Sequence, residues 1–309
     1  MNYSFIIPHK NSPNLLKRCL DSIPVRDDIQ IIVVDDNSDE DKKPQINRKD
    51  VEVVLLDAVH CKGAGHARNV GIENAKGKWI LFADSDDLYK ENFLEVLDEY
   101  KDDKFDVLYF NIDSVNSLTL KNLTGSKNDR AQRTRKTIDN YSQSNKDTLL
   151  FRSYGPWNKM ISRSFIIEYG LFFEEVYKGN DVLFSLELGT FLRSYKVEKR
   201  ILYSLSLNLN SLTYERTTSI KYKSYINGRL YKAYFNVYIG HPEWNYTKNL
   251  PFLEPLIYVC GRLIKEPKIG VKVGLYFLSH LFPIYSNRKY YIDVIEELKK
   301  SAHKRLKFV

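Results

Sequence analysis

Short apolar runs alternate with helix-like segments through the first 110 residues, and this alternation restricts the possible folds more than any other feature of the chain. The runs are four to six residues long, which is typical of strands covered on both faces of a sheet. Five runs are predicted strands: "YSFII", "IQIIVV", "VEVVLL", "KWILFA" and "FDVLYF". Residues 12–23, 65–75 and 91–100 have the apolar spacing of helices. The pattern predicts an α/β fold, a mostly parallel open sheet with helices on both faces.

Polar sequences follow three of the predicted strands, at the points where the strands end. "PHKN" follows the first strand, "DDNSDE" the second and "DSDD" the fourth. In open α/β sheets, ligands bind at the carboxyl ends of the strands. We therefore expect these three loops to meet in one crevice.

The "DSDD" sequence places three carboxylates, Asp84, Asp86 and Asp87, within four positions. Neighbouring charges of one sign repel by about 1 kcal/mol in water and by more near a protein surface. One interpretation is an acidic loop that caps the helix beginning near Glu91. The position at a strand end favours instead a hard divalent cation, Mg²⁺ or Mn²⁺, which prefers one or two carboxylates completed by substrate phosphates.

A dinucleotide-binding turn is a competing interpretation, because Gly63 and Gly65 lie between a strand and a helix. Arg68 stands where the third glycine of that fingerprint belongs. The glycines also follow the third strand rather than the first, so the pattern disfavours this interpretation.

Cysteine content and hydropathy bear on the compartment. The chain has three cysteines without metal-ligand spacing, and an odd number gives no disulfide framework, so a reducing compartment is expected. The histidines lack the paired spacing of a zinc site. No apolar stretch approaches the roughly 18 residues needed to span a bilayer, which predicts a soluble or peripheral protein.

The carboxyl-terminal region differs in charge from the rest of the chain. Residues 221–309 contain 16 Lys and Arg against six Asp and Glu, a net charge of +10, and 11 of the 22 tyrosines. The total of +8 leaves −2 for residues 1–220. Such asymmetry fits nucleic acid, an anionic membrane surface or an acidic substrate. Aromatic residues at three- and four-residue spacing predict helices here.

The middle of the chain is polar. Residues 111–145 show little periodicity, which predicts a long loop or a loosely held hairpin, a candidate lid. Order resumes near Leu149, and a Gly-Asn-Asp turn that ends at Asp181 precedes an apolar periodic helix.

Four motifs, taken in order, resemble one family. "FIIPHKN", "IIVVDDNSDE", "GHARNVGIENAKGKWILFADSDDLY" and "GNDVLF" look like the family 2 inverting glycosyltransferases of the GT-A fold, bacterial polysaccharide- and capsule-building members in particular. The resemblance covers residues 2–110 closely and 150–205 loosely. It implies a GT-A nucleotide-diphospho-sugar transferase domain over residues 1–215, followed by a helical, basic, tyrosine-rich extension over 216–309.

The resemblance implies a nucleotide site in the first two loops and the following helix. Pro8 matches the loop that lies against the base, and Asp36 matches the residue that accepts a hydrogen bond from the uracil ring. Arg68 matches a basic residue that helps to hold the nucleotide. Lys10 departs from the family's usual Tyr, so a stacking contact is either lost or replaced by the lysine stem lying along the base. The plainer interpretations are a helix cap for Asp36 and a surface ion pair for Arg68.

The resemblance also implies roles for four acids. Asp84 matches the first acid of the DxD signature, near ribose and metal, and Asp86 matches the acid that coordinates the metal on the diphosphate. Asp87 is expected to cap the following helix. Asp181 matches the catalytic base, with helix N-cap as the plainer interpretation. Asn180 stands where the family has Glu.

What the resemblance implies about function is a metal-dependent transfer of a hexose-type sugar, with inversion, from a nucleotide-sugar, UDP most commonly. The acceptor would be a saccharide or a lipid-linked hydroxyl, near a segment formed by Trp157, Asn158 and Lys159, for which a buried core is the alternative. We expect a cytoplasmic protein whose extension contacts the inner face of the membrane or forms a homodimer. A nucleotidyltransferase and a nucleic-acid-binding protein remain as alternatives, although no nucleic acid partner is expected.

Overall fold

The computed structural model describes residues 1–126, 129, 131–142, 146–176 and 179–207, together with five isolated helical positions between residues 260 and 275. The helical extension predicted over 216–309 otherwise lies outside the described residues. Within the part of the chain that is described, no helix is both long and apolar enough to cross a membrane.

Eight strands and seven α-helices make up the described fold. The strands are β1 (Tyr3–His9), β2 (Ile29–Asp35), β3 (Val51–Leu55), β4 (Trp79–Phe82), β5 (Leu88–Tyr89), β6 (Val107–Asn116), β7 (Lys159–Ser162) and β8 (Tyr195–Leu207). The helices are α1 (Pro13–Asp21), α2 (Ala64–Asn74), α3 (Phe93–Asp98), α4 (Gln132–Asp139), α5 (Lys146–Arg152), α6 (Arg163–Tyr169) and α7 (Asn180–Phe191). All five predicted strands and all three predicted early helices are present.

The strands form one sheet in the order β3-β2-β1-β4-β7-β6-β8-β5. The amino-terminal half, β3 to β4, is entirely parallel. β7 runs antiparallel to both of its neighbours, while β6 and β8 are parallel and β5 is antiparallel to β8. The sheet is therefore mixed, with parallel order concentrated where the sequence alternates strand and helix. This architecture is the predicted α/β GT-A fold.

Two hydrophobic cores cover the two faces of the sheet. Successive side chains of a strand point to opposite faces, so Phe5 and Ile7 of β1 enter one core and Ile6 enters the other. Helices α1 and α3 cover the first face, and α2, α6 and α7 cover the second. Every residue of β1 is buried, which explains why its sequence lacks the regular apolar–polar alternation of a half-buried strand.

The prediction of a long loop after residue 110 is wrong in two places. β6 continues to Asn116, and α4 forms over Gln132–Asp139. The polar residues of this strand are buried and satisfied: Asp113 accepts hydrogen bonds from Lys90 and Ser204. Because these partners come from other segments, the polarity of the sequence concealed the strand.

Candidate active site

The parallel strands β1, β2 and β4 bring the predicted loops to one edge of the sheet. His9 pairs with Asp35 at the ends of β1 and β2, and Ile6 pairs with Phe82 at the end of β4. The backbone amide of Asp36 donates to the carbonyl oxygen of His9 over 2.9 Å. The structure therefore confirms that the loops after the first, second and fourth strands converge.

Asp36 lies at one end of this crevice and is almost fully buried. Its Oδ1 accepts from the backbone amide of Gly63 at 3.1 Å, and Lys10 Nζ lies 3.4 Å from Oδ2 and 2.9 Å from the backbone oxygen. Asp36 does not cap the short 3₁₀ turn at residues 40–42, whose first flanking residue is Asp39. Lys10 thus contacts the predicted base-binding acid, and Pro8 is buried in β1 beside it.

A buried network that the sequence did not reveal fixes the first two loops. His9 Nε2 accepts from the amide of Ser12 at 3.1 Å, so Nδ1 carries the proton and donates to Asp35 Oδ1 at 2.7 Å. Asp35 also accepts from the amide and the hydroxyl of Ser38. These contacts hold the loops that carry Lys10 and Asp36 in one arrangement.

Arg68 joins the acidic loop to the start of α7. Its Nη2 donates to Asp84 Oδ1 at 2.6 Å, and its Nη1 donates to Asn180 Oδ1 at 2.9 Å. The guanidinium lies 5.3 Å from the ring centroid of Phe173, and only 7% of the side chain is exposed. The surface ion-pair interpretation of Arg68 is therefore wrong. The amide oxygen of Asn180 supplies an acceptor at the position where the family has Glu.

Gly65 permits this contact between α2 and α7. A Cβ at this position would lie 2.0 Å from the carbonyl oxygen of Glu174 and 3.0 Å from Cβ of Asn180. Only glycine allows the first turn of α2 to approach so closely. The glycine that suggested a dinucleotide turn therefore has a packing role, which places Arg68 within reach of Asn180.

The three acids of the loop after β4 are close together. Asp84, Asp86 and Asp87 present oxygen atoms that all lie within 4.8 Å of one another. Arg18 of α1 supports the loop, because its Nη2 donates to the backbone oxygen of Asp86 at 2.7 Å and to Ser206 Oγ at 3.0 Å. The loop is thus held from outside by side chains distant in sequence.

Asp87 does not cap the following helix, contrary to the prediction. α3 begins at Phe93 and its flanking residue is Asn92. Asp87 is buried, and its two oxygens accept from the hydroxyl of Tyr203 at 2.9 Å and the amide of Ser206 at 2.6 Å. Burial, with the charges of Asp86 and Asp84, raises the pKa of Asp87 well above the ordinary carboxyl value. Asp87 anchors the loop to β8.

The donor set suits a hard divalent cation. Asp84 and Asp86 are partly exposed, and carboxylate oxygens are the ligands that Mg²⁺ and Mn²⁺ prefer. Both oxygens of Asp87 already accept hydrogen bonds from β8, which leaves Asp84 and Asp86 as the candidate ligands.

Asp181 lies in the first turn of α7, one residue after Asn180. The helix is preceded by Gly179 in the left-handed conformation, so Asp181 is not its N-cap and that interpretation is wrong. Burial raises the pKa of Asp181, and the charge of Asp84 acts in the same direction. The cations of Arg68 and Lys159 lower it. Upward-shifted carboxyl pKa values cluster at functional sites, so Asp181 stays the candidate general base.

The Trp157–Lys159 segment packs into the protein beside this crevice. Trp157 stacks on Tyr203 with the ring planes 3° apart and the centroids 6.1 Å apart, and Asn158 and Lys159 are buried. The hydroxyl of Tyr203 accepts from the amide of Asp84 at 3.0 Å. Neither Tyr203 nor Arg18 carries a sequence signal, since each acts on a loop 68 or more positions away.

Comparison with known proteins agrees with this geometry. Residues 4–170 match the model of the family described as Glycosyl transferase family 2. The fold and the site thus define a glycosyltransferase enzyme. The chain belongs to glycosyl transferase family 2.

Several relatives are bacterial proteins whose names contain the term glycosyltransferase or glucosyltransferase. EpsH of Bacillus subtilis is 30% identical over 224 residues, which cover 68% of this chain and 62% of EpsH. The UDP-Glc:α-D-GlcNAc-diphosphoundecaprenol β-1,3-glucosyltransferase WfaP of Escherichia coli is 44% identical over 62 residues, 20% of this chain and 25% of WfaP. The chain spans between 15% and 62% of the length of the first three curated relatives that it matches.

A solved structure supports the fold. Residues 1–349 of Staphylococcus aureus TarS, in complex with UDP-GlcNAc, superpose with a TM-score of 0.58 at 19% identity. The match covers 98% of this chain and 92% of that structure. At this identity the likeness shows a shared GT-A fold.

Proposed function

We propose that the protein transfers one sugar from a UDP-sugar to a hydroxyl of a saccharide or lipid-linked acceptor, with inversion, in the synthesis of a bacterial polysaccharide such as a capsule. The observation that carries the proposal is the bridge made by Arg68. This side chain joins Asp84 of the acidic loop to Asn180, the neighbour of Asp181. In this proposal, the groups that bind a nucleotide diphosphate and the group that removes a proton would lie on either side of Arg68.

The donor would lie along the carboxyl edge of β1, β2 and β4. Pro8 and Asp36 would contact the base, and Arg68 would hold the nucleotide near Asp84. Support for UDP comes from the TarS structures solved with UDP and UDP-GlcNAc and from the UDP-Glc named for WfaP. Lys10 already contacts Asp36, so we expect a base to meet the lysine stem rather than an aromatic ring.

Asp84 and Asp86 would hold a divalent cation, Mn²⁺ or Mg²⁺. When bound, such an ion acts as a Lewis acid that offsets negative charge on a diphosphate leaving group. The protein fixes this loop through Arg18, Tyr203 and Ser206, while Arg68 holds one oxygen of the Asp84 carboxylate.

Asp181 would act as the general base. Its carboxylate accepts the proton of the acceptor hydroxyl while the oxygen forms a bond to the anomeric carbon. The bond from that carbon to the diphosphate breaks in the same step, its electrons remain on the leaving UDP, and the configuration inverts. General-base assistance contributes typically 10²- to 10⁴-fold to such a step. No covalent intermediate with the protein is needed.

The proposed acceptor class is based on a relative, and the proposed membrane location is based on the charge of the extension. WfaP is named for a diphosphoundecaprenol-linked acceptor, which makes a lipid-linked saccharide a reasonable class for this chain. We propose a catalytic domain over residues 1–215 and an extension over 216–309 that meets the inner face of the cell membrane or a second copy of the chain. Its net charge of +10 over residues 221–309 supports the membrane assignment.

A thermal-shift panel of nucleoside diphosphates and UDP-sugars, with and without Mn²⁺, tests the donor. A ligand at 100 times its dissociation constant stabilises the folded protein by about 2.7 kcal/mol. We expect UDP with Mn²⁺ to give the largest shift, and acceptor-dependent release of UDP to identify the reaction. Release of pyrophosphate from a nucleoside triphosphate and a sugar phosphate, assayed in parallel, would indicate a nucleotidyltransferase. Salt-sensitive retention on nucleic acid without sugar-nucleotide turnover would indicate a nucleic-acid-binding protein.

A further inference from the structure

A buried lysine lies behind the candidate base. Lys159 of β7 is 1% exposed and sits between β4 and β6 in the sheet. Its Nζ donates to the backbone oxygen of Ser153 at 2.7 Å, to that of Gly155, and to Asn158 Oδ1 at 3.1 Å. An ammonium group has three protons to donate, so each proton has an acceptor. The turn over residues 153–158 is wrapped around this charge.

The same turn is tied to the helix of Asp181. The backbone oxygen of Tyr154, between the two oxygens bound by Lys159, accepts from the hydroxyl of Ser185 at 2.7 Å. Three successive carbonyl oxygens are thus held by side chains of β7 and α7. Ser185 follows Asp181 by four positions, so the two side chains lie on the same face of α7.

The other end of the turn reaches the acidic loop. Trp157 stacks on Tyr203, whose hydroxyl binds the amide of Asp84 and the carboxylate of Asp87. The turn wrapped around Lys159 therefore connects the helix that carries Asp181 with the loop that carries Asp84.

The charges of three groups act on Asp181. Arg68 comes from α2, Asp84 from the loop after β4, and Lys159 from β7. The two cations favour the ionised form of Asp181, whereas burial and Asp84 disfavour it. Burial lowers the pKa of Lys159 to about 7, and the carboxylate of Asp181 opposes that change. Each of the two groups thus stabilises the charge of the other.

We propose that Lys159 is a positioning residue for Asp181: it fixes the 153–158 turn against α7 and supplies, with Arg68, the positive charge that keeps the base ionised. The inference rests on the proposed function, because it assigns a role to Lys159 only if Asp181 removes the acceptor proton. It extends that function to a residue that does not touch either substrate.

The test compares Lys159→Met and Lys159→Arg with the control Lys76→Met. Lys76 is exposed and lies at the opposite edge of the sheet, where its amide donates to Ser4 Oγ. We expect Lys159→Met to keep the KM for UDP-sugar and to move the acid limb of the kcat–pH profile upward, so that kcat falls at acidic pH and recovers as pH rises. Lys159→Arg should restore the wild-type acid limb, and Lys76→Met should match the wild type throughout.

The outcomes separate this inference from the proposed function. A folded Lys159→Met with wild-type kcat and acid limb overturns the inference alone. A wild-type protein that gives no acceptor-dependent release of UDP overturns the proposed function, and the inference with it. If Lys159→Met does not fold, Ser185→Ala tests the inference instead, because it removes only the hydrogen bond that joins α7 to the 153–158 turn. A lower kcat at unchanged UDP affinity supports the inference, and an unchanged kcat overturns it.

Discussion

Arg68 Nη2 lies 2.6 Å from Asp84 Oδ1, and this ion pair is shielded on the arginine side, where only 7% of the side chain is exposed. The same guanidinium donates to Asn180, so one side chain determines the spacing between the acidic loop and α7. A buried charge pair of this kind is a poor stabiliser in itself but fixes geometry, since removal of one partner leaves the other charge uncompensated.

Arg68→Met should lower the affinity for UDP and the rate of transfer together, because both sides of the crevice lose their common contact. We expect a destabilisation of about 1–3 kcal/mol, measured by urea unfolding, because the partly buried amide oxygen of Asn180 loses its donor while Asp84, whose side chain is 35% exposed, keeps part of its hydration. Arg68→Lys keeps the charge, but its single amino group cannot bind both acceptors as the two guanidinium nitrogens do. Its UDP affinity should therefore lie between those of Arg68→Met and the wild type. Wild-type UDP affinity in Arg68→Met would contradict the role given to this residue.

Asp86→Ala should abolish the Mn²⁺ dependence of UDP binding while leaving the fold intact. The carboxylate adds repulsion to Asp84 and Asp87 in the protein without ligand, which offsets part of the cost of its removal, so the variant should remain folded. Isothermal titration with UDP at varied Mn²⁺ gives the measurement. Asp102→Ala, at an exposed acid outside the crevice, is the control and should bind as the wild type does. Undiminished Mn²⁺ dependence in Asp86→Ala would show that the metal ligands lie elsewhere.

Asp181→Asn should keep UDP affinity and lower transfer at least about 100-fold, the lower end of general-base assistance. Since the helix begins at Asn180 after Gly179, loss of a cap cannot account for such an effect. Single-turnover transfer with saturating donor provides the measurement. A transfer rate near that of the wild type would require another base.

The raised pKa of Asp181 also predicts a pH dependence. The base works only as a carboxylate, so kcat should fall as pH drops through a value above the ordinary carboxyl range. The folded state holds this proton more tightly than the unfolded state, so Asp181 reduces stability as pH rises through the window between the two pKa values. Asp181→Asn should therefore unfold at an equal or higher urea concentration at pH 7. A lower midpoint would indicate a structural role instead.

Tyr203→Phe should destabilise the protein by about 1–3 kcal/mol, because it leaves the buried carboxylate of Asp87 and the amide of Asp84 without their common partner. Tyr109→Phe is the matched control. The Tyr109 hydroxyl is buried and makes no hydrogen bond within the described residues, so its removal should be nearly neutral. Equal urea midpoints for the two variants would contradict the anchoring role of Tyr203.

Truncation near Ser219 tests the extension. In flotation with anionic and neutral liposomes, the full chain should bind the anionic vesicles, since each Lys or Arg near such a surface contributes about 1 kcal/mol. The truncated chain should lose that binding and keep UDP affinity. Equal flotation of both chains would refute a membrane role, and failure of the truncated chain to fold would assign the extension to the core or to a dimer.

The sequence predicted those features that depend on neighbours along the chain. The strands β1, β2 and β4 were visible because the sheet buries both faces of each strand, which demands continuous apolar runs, whereas β3 is an apolar run at the exposed edge of the sheet. The convergence of Asp36 and Asp84 followed from parallel order, which places strand ends at one edge. The extension of β6 to Asn116 was hidden, because the partners that satisfy its polar residues lie in other segments.

The sequence by itself determined the α/β alternation, the edge of the sheet that carries the site and the acids at that edge. These features are local, because they depend on the spacing of apolar residues along the chain and on the residues that directly follow each strand. Tertiary structure alone decided how those acids differ: Asp87 is anchored by β8, Asp84 is paired with Arg68, and Asp181 lies beside a buried lysine. The physical reason is that burial and charge at each carboxylate depend on segments brought together only by folding, and those two quantities set its pKa and its partners.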